Sequence, residues 1–194
     1  DEPGDLMRDL ERKTKLYGVY AQESMHFGSR WLVDLGARYD RITSDLEGTE
    51  YIDHDWSSGG NFDGEVPVDT VETYTALSPR IGVVFTASGA INLYGNISVG
   101  SQTPTSDELS INPDLALTTV QNYEVGIKAA WPRLAFETSI YYSPVFDEVV
   151  QVIQPFGETE YFTAGETEKK GLELAVNWMP VDGLSLGGSY TYSN

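Results

Sequence analysis

The sequence lacks several features that define common classes of protein. Among its 194 residues there is no cysteine, which excludes disulfides, thiolate metal sites and cysteine nucleophiles. No stretch approaches the roughly 18 consecutive apolar residues of a transmembrane helix. Lys and Arg number 12 against 30 Asp and Glu, a formal net charge of -18, so the basic clusters that nucleic acids require are missing. We therefore exclude a helical membrane protein and a nucleic-acid-binding protein.

Catalytic motifs are also missing. The sequence contains no GxSxG, HExxH or phosphate-binding loop, and its two histidines, His26 and His54, lie far apart. We therefore expect neither an enzyme nor a cofactor. The first residues have no basic segment followed by an apolar run, so we expect a mature chain or a piece of one.

What the chain does have is strict alternation of apolar and polar residues. Positions 31–39 are apolar at every odd number, and positions 171–178 are apolar at every even number. A period of two places the two sets on opposite faces of a β-strand. The pattern persists for about nine to eleven residues in each arm, the length that a tilted strand needs to cross a bilayer.

Aromatic residues lie near the ends of these apolar runs. Amphipathic rings are enriched where a protein crosses the two interfaces of a membrane. We therefore predict an aromatic membrane girdle, formed by Trp31, Tyr39, Trp131, Tyr142, Trp178 and Tyr190.

Short and long connections alternate along the chain. Short turns are expected near residues 28, 88, 132 and 181, and long polar connections at about 43–73, 101–120 and 154–160. This order is typical of an antiparallel transmembrane β-barrel, with short periplasmic turns and long extracellular loops. We predict about eight strands over residues 14–194, preceded by a charged lead-in, 1–13, that forms a loop or a short helix.

Both ends of the sequence fall on the long-loop side, so we expect a piece of a larger barrel. Two alternatives remain at this point. One is a small eight-stranded barrel with a passive or structural role, and the other is a soluble β-sandwich that serves as a binding module.

Several segments, in this order, resemble the barrel of TonB-dependent outer-membrane receptors. They are LYGVYAQES, LGARYDRI, SPRIGVVF, INLYGNISVG with TPTSDEL and NPDL, NYEVGIKA, and TAGETEKKGLELAVNW with GLSLGGSYTYSN. The resemblance implies a larger barrel of about twenty-two strands around a plug that this chain does not contain. It further implies location in the outer membrane of a Gram-negative bacterium, among lipid and lipopolysaccharide. The implied activity is import of a nutrient, most often an iron–siderophore complex, using energy from the TonB complex through the plug.

The acidic segment 53–63 is the best candidate for a site. The aromatic and imidazole side chains in and next to this segment predict ligand contacts, for which the candidates are Tyr51, His54, Trp56 and Phe62. Oxygen ligands for calcium are also present, in Asp53, Asp55 and Asp63. The twelfth position from Asp53 is Gly64, however, where a helical calcium loop has Glu. We therefore expect a solvated acidic loop and no resident metal.

Overall fold

The computed structural model describes residues 8–52, 64–153 and 159–194. These ranges contain ten strands and one short helix, and no helix in them is long and apolar enough to cross a membrane. In chain order the elements are β1 (Arg8–Phe27), β2 (Trp31–Ile52), β3 (Gly64–Ser88), β4 (Ile91–Gln102), α1 (Ser106–Ile111), β5 (Thr118–Trp131), β6 (Leu134–Phe146), β7 (Val149–Ile153), β8 (Thr159–Thr163), β9 (Glu166–Val181) and β10 (Leu184–Ser193).

Eight of the strands form one antiparallel sheet, in the order β1-β2-β3-β4-β5-β6-β9-β10. The other two, β7 and β8, pair as a separate hairpin inserted in the connection between β6 and β9. The prediction of an all-β protein with about eight sheet strands is confirmed. A soluble β-sandwich is excluded as the fold, because the described strands build one continuous sheet instead of two stacked sheets of similar size.

The short turns lie where the sequence predicts them. Gly28 and Gly183 have φ values of 61° and 85°, a region that glycine enters without steric cost. Arg133 and Asp182, in two neighbouring turns, form an ion pair of 3.0 Å between Nη2 and Oδ1. Short turns therefore lie together at one end of the sheet, and we call the opposite end the long-loop end.

The prediction of a long loop over residues 43–73 is wrong for most of its length. Strand β2 continues to Ile52 and β3 begins at Gly64, with unbroken pairing from Thr43 opposite Thr73 to Ile52 opposite Gly64. Residues 8–13, expected as a loop or short helix, are also strand and pair with residues 45–50. A strand that projects beyond a membrane meets water, so it needs no apolar face, and a polar sequence is compatible with it.

Two further differences concern the other connections. The strand expected to run on to Ile153 ends at Phe146, because Asp147 has a φ of 56° that breaks the extended conformation. The connection after β4 contains α1, which the sequence analysis did not predict.

The sheet has one apolar and one polar face, because residues paired across strands share a face. One row crosses all eight strands on the apolar face, through Met25, Val33, Val83, Gly95, Val125, Ile140, Leu172 and Tyr192. The adjacent row on the other face contains Ser24, Asp34, Gly82, Asn96, Glu124, Tyr141, Gly171 and Ser193. Many large apolar side chains on the apolar face are therefore exposed, such as Val19 at 68% and Ile140 at 55%.

Candidate functional site

The polar face carries a hydrogen-bonded network centred on Glu124. The Tyr94 hydroxyl donates to Glu124 Oε1 at 3.0 Å, and Asn96 Nδ2 donates to Oε2 at 2.9 Å. Asn122 Nδ2 donates to Asn96 Oδ1 at 3.4 Å, and Ser143 donates to Asn122 Oδ1 at 2.7 Å. The network joins β4, β5 and β6, so it fixes the positions of these polar side chains on the face.

Ion pairs lie on the same face. Lys128 Nζ is 2.6 Å from Glu137 Oε1 and 5.0 Å from the centre of the Tyr94 ring. Arg38 and Asp40 pair at 2.7 Å on β2. Each of these two cations is balanced by a neighbouring carboxylate, as expected for charged groups on a water-filled interior rather than in lipid.

Two rings on this face lie over glycines. A Cβ atom at Gly126 would lie 2.5 Å from Cζ of Tyr94, and one at Gly171 would lie 2.6 Å from the Tyr141 hydroxyl oxygen. The missing side chains therefore provide the space that the two rings occupy against the sheet.

At the long-loop end the connection between β4 and β5, residues 103–117, packs onto the polar face of β2 and β3. Leu46 of β2 and Leu109 of α1 are each 1% exposed, and Leu115 is 3% exposed. Helix α1 begins with a capping box, in which Thr105 accepts from the Glu108 amide and the Glu108 side chain accepts from the Thr105 amide. This apolar cluster is the main core of the described chain.

Arg12 holds the connection to the sheet. Its Nε donates to Ser44 Oγ at 2.7 Å, its Nη2 to the Pro104 carbonyl at 3.3 Å and its Nη1 to Ser106 Oγ at 3.5 Å. One guanidinium therefore joins β1, β2 and the segment that leads into α1.

Tyr74 provides a second attachment, since its hydroxyl donates to the Leu115 carbonyl at 3.1 Å. Burial is the main cause that raises the pKa of Tyr74, so the phenol keeps its proton and remains a donor. The β7–β8 hairpin is attached in turn: Asn112 Nδ2 donates to the Tyr161 carbonyl at 2.9 Å, and the Ala116 amide donates to Thr163 Oγ1 at 3.4 Å. We call residues 103–117, the β7–β8 hairpin and the paired ends of β2 and β3 the loop assembly.

The predicted ligand-binding residues are only partly described. Tyr51 is half-buried near the end of β2, opposite Glu65. His54, Trp56 and Phe62, and the calcium candidates Asp53, Asp55 and Asp63, lie outside the described residues, so both sites stay predictions. Within the described ranges no group of three or more His, Asp or Glu side chains has a metal-binding arrangement.

The six residues of the predicted girdle all lie on the apolar face, and their exposed fractions are between 40% and 57%. Trp31 packs on Phe85 with ring centres 4.6 Å apart, and Tyr142 stacks on Tyr123 at 6.3 Å. Their role as a girdle stays a prediction. The carboxylate Glu23 lies among the apolar residues of this face, opposite Leu35.

Sequence reasoning missed the residues that fasten the loop assembly. Arg12 falls in the segment taken as a lead-in, and its partners lie 32 to 94 positions away, which no local pattern reports. One local signal in the sequence does predict helix α1. Thr105 followed three positions later by Glu108 is the sequence form of a capping box and predicts the start of a helix.

The sheet is a meander with an exposed apolar face and a hydrogen-bonded polar face, and its strands extend farthest at the long-loop end. These features define the wall of a transmembrane β-barrel. The profile of the family described as "TonB dependent receptor-like, beta-barrel" matches residues 3–194. The chain therefore belongs to the TonB-dependent receptors, as a stretch of their β-barrel.

Individual proteins show the same likeness. The chain is 24% identical over 176 residues to the metal-pseudopaline receptor CntO of Pseudomonas aeruginosa, covering 88% of this chain and 23% of that one. It is 28% identical over 198 residues to the ferrioxamine receptor of Yersinia enterocolitica, covering 98% and 24% respectively. The crystal structure of the siderophore receptor PiuA from Acinetobacter baumannii superposes with a TM-score of 0.74 at 19% identity, over 96% of this chain and 26% of that one. The chain thus spans about a quarter of the length of these relatives.

Proposed function

We propose that this chain is part of the barrel wall of an outer-membrane active transporter that imports a scarce nutrient, with an iron–siderophore complex as the first ligand to test. The observation that carries the proposal is the family match over residues 3–194 together with relatives named for a siderophore or its metal complex. Energy would come from the TonB complex acting on a plug outside this chain. The plug would sit against the polar face, whose charges and amides offer hydrogen bonds to it.

The geometry supports a division of labour within the chain. The loop assembly lies at the long-loop end, which faces the cell exterior in this proposal, and its buried leucines make it a fixed rim. The polar network around Glu124 lies deeper in the barrel and lines the route that opens when the plug rearranges. Capture would then fall to residues at and beyond the long-loop ends of β2 and β3, where Tyr51, His54, Trp56 and Phe62 are the proposed ligand contacts.

Charge narrows the class of ligand. With 30 acidic and 12 basic residues, the chain repels anions over distances of about the Debye length. Metal complexes that are neutral or positively charged are therefore favoured over strongly anionic ones.

The test uses the full-length receptor in cells that lack their own copy. Uptake of radioactive iron as ferrioxamine should be restored by the wild-type receptor and abolished by deleting TonB or by adding a protonophore. Trp56→Ala and Phe62→Ala should each weaken ferrioxamine binding about tenfold, since aromatic anchors in binding sites contribute about 1–2 kcal/mol or more. Tyr190→Phe, on the opposite face, is the control. Restored uptake that persists without TonB would contradict active transport and favour a passive barrel.

A further inference from the structure

Two cations at the long-loop end of β1 and β2 have no partner among the described residues. Lys15 and Arg41 are exposed, and neither forms a hydrogen bond or an ion pair within residues 8–52, 64–153 and 159–194. Most other described cations do, including Lys13, which lies 3.6 Å from Glu11 and 4.0 Å from Glu47. In a chain with 30 carboxylates and 12 basic residues, two adjacent cations without a carboxylate indicate that their negative partner comes from elsewhere.

The two cations lie together on the apolar face. Tyr17 pairs with Arg41 and Lys15 pairs with Thr43, so Lys15 and Arg41 are diagonal neighbours across two strands. Diagonal neighbours on one face are about 7–8 Å apart, close enough for both side chains to reach one phosphate group. The same face carries Tyr39 two positions before Arg41, and the Tyr17 ring is 70% exposed.

Their height matches the edge of an apolar band. Arg41 lies ten residues beyond Trp31 on β2, which is about 34 Å along the strand. With a strand tilt of about 40°, the rise along the barrel axis is about 26 Å, close to the roughly 25 Å height of the apolar band of membrane barrels. The cations therefore follow directly where the lipid-facing surface ends.

The order of groups along this face fits an anionic amphiphile. Apolar side chains are followed by Tyr39, then by Tyr17 and Arg41 at one level and by Lys15 at the next. Beyond them come Lys13 opposite Asp45 and then the acidic row of Glu11, Glu47 and Asp69. We propose that Lys15 and Arg41, with the Tyr17 hydroxyl, bind the phosphate headgroup of an anionic membrane lipid whose acyl chains lie along the apolar face. The acidic row limits how far the phosphate moves outward. This inference rests on the proposed location of the chain in a membrane.

Lipid binding to the purified full-length receptor tests the site. Native mass spectrometry in neutral detergent would measure binding of dioleoyl phosphatidic acid, with dioleoylglycerol as the same lipid without its phosphate. Lys15→Gln and Arg41→Gln should each weaken binding of the phosphatidic acid about fivefold, and the double variant about 25-fold, the effect expected for a cation at a membrane surface. Arg30→Gln, an exposed cation at the short-turn end, is the matched control and should bind as the wild type does. Tyr17→Phe should have a smaller effect than either cation variant.

Several outcomes would overturn the site. The first is that the double variant binds phosphatidic acid as tightly as the Arg30→Gln control does. The second is that the wild type binds dioleoylglycerol as tightly as phosphatidic acid. The third is that inorganic phosphate stabilises the receptor against thermal unfolding as much as the lipid does. Should the double variant fail to fold, the single variants and the salt dependence of wild-type binding still test the site, because phosphate binding through cations weakens as salt rises.

Membrane fractionation separates this inference from the proposed function. A receptor absent from the outer membrane defeats both, whereas a correctly located receptor with unchanged lipid binding in the variants defeats this inference alone.

Discussion

The two ends of the long strands are stabilised in different ways. Between the Trp31 and Tyr39 levels, large apolar side chains remain exposed on one face, and the described chain offers nothing to cover them. At the long-loop end the same strands carry a small core, in which Leu46, Leu109 and Leu115 are almost fully buried. The first region depends on lipid for its apolar face, whereas the second is organised like a water-soluble domain. A single strand such as β2 therefore runs from a region with an apolar face suited to lipid into a region that is organised for water.

The largest expected effect concerns the core of the loop assembly. Leu109→Ala should lower the local free energy of unfolding by about 2–5 kcal/mol, the cost of deleting a fully buried leucine side chain. Hydrogen exchange of the amides in residues 103–117 would measure it. The control is Leu16→Ala, at a side chain that is 56% exposed, with an expected change below about 0.5 kcal/mol. Equal exchange in both variants would show that the loop assembly has no independent core.

A somewhat smaller effect is expected on the apolar face. Val33→Arg should cost about 2–4 kcal/mol in the unfolding free energy of the full receptor in lipid vesicles, because the guanidinium would replace an apolar group in the bilayer. Asp34→Arg changes the adjacent residue on the polar face and should cost less, since that side chain meets water. Denaturant titration of both variants decides the matter, and equal costs would contradict the assignment of the two faces.

The smallest effect concerns one attachment of the loop assembly. Tyr74→Phe removes the donor to the Leu115 carbonyl and should lower the stability of the assembly by about 1 kcal/mol, the usual net contribution of such a hydrogen bond. Faster hydrogen exchange confined to residues 103–117 is the expected result. Tyr190→Phe, whose hydroxyl is on the exposed apolar face, should leave the exchange unchanged.

The same contrast explains what the sequence predicts well. Strand type, faces and short turns follow from alternation around residues such as Val33 and Asp34, because lipid on one side and water on the other impose strong chemical contrast at every step. That contrast disappears beyond Tyr39, where the apolar row of the outer face does not continue, so the continuation of β2 to Ile52 reads as a loop. The loop assembly escapes prediction for another reason: Arg12 and Ser106 meet only after the chain has folded, and their 94-residue separation leaves no local pattern.

The glycines beneath the tyrosine rings affect how far the polar face projects from the sheet. Side chains that place hydroxyl groups on the inner face of a barrel normally narrow its interior. Here Tyr94 occupies the space left empty at Gly126, and Tyr141 that left empty at Gly171, so the wall gains phenols with little loss of clearance. A methyl group at residue 126 would lie 2.5 Å from Cζ of Tyr94 and 2.6 Å from the Thr138 carbonyl oxygen, so the ring could not keep its place against the sheet. The depth of the polar face over these strands is therefore set in part by two residues that have no side chain.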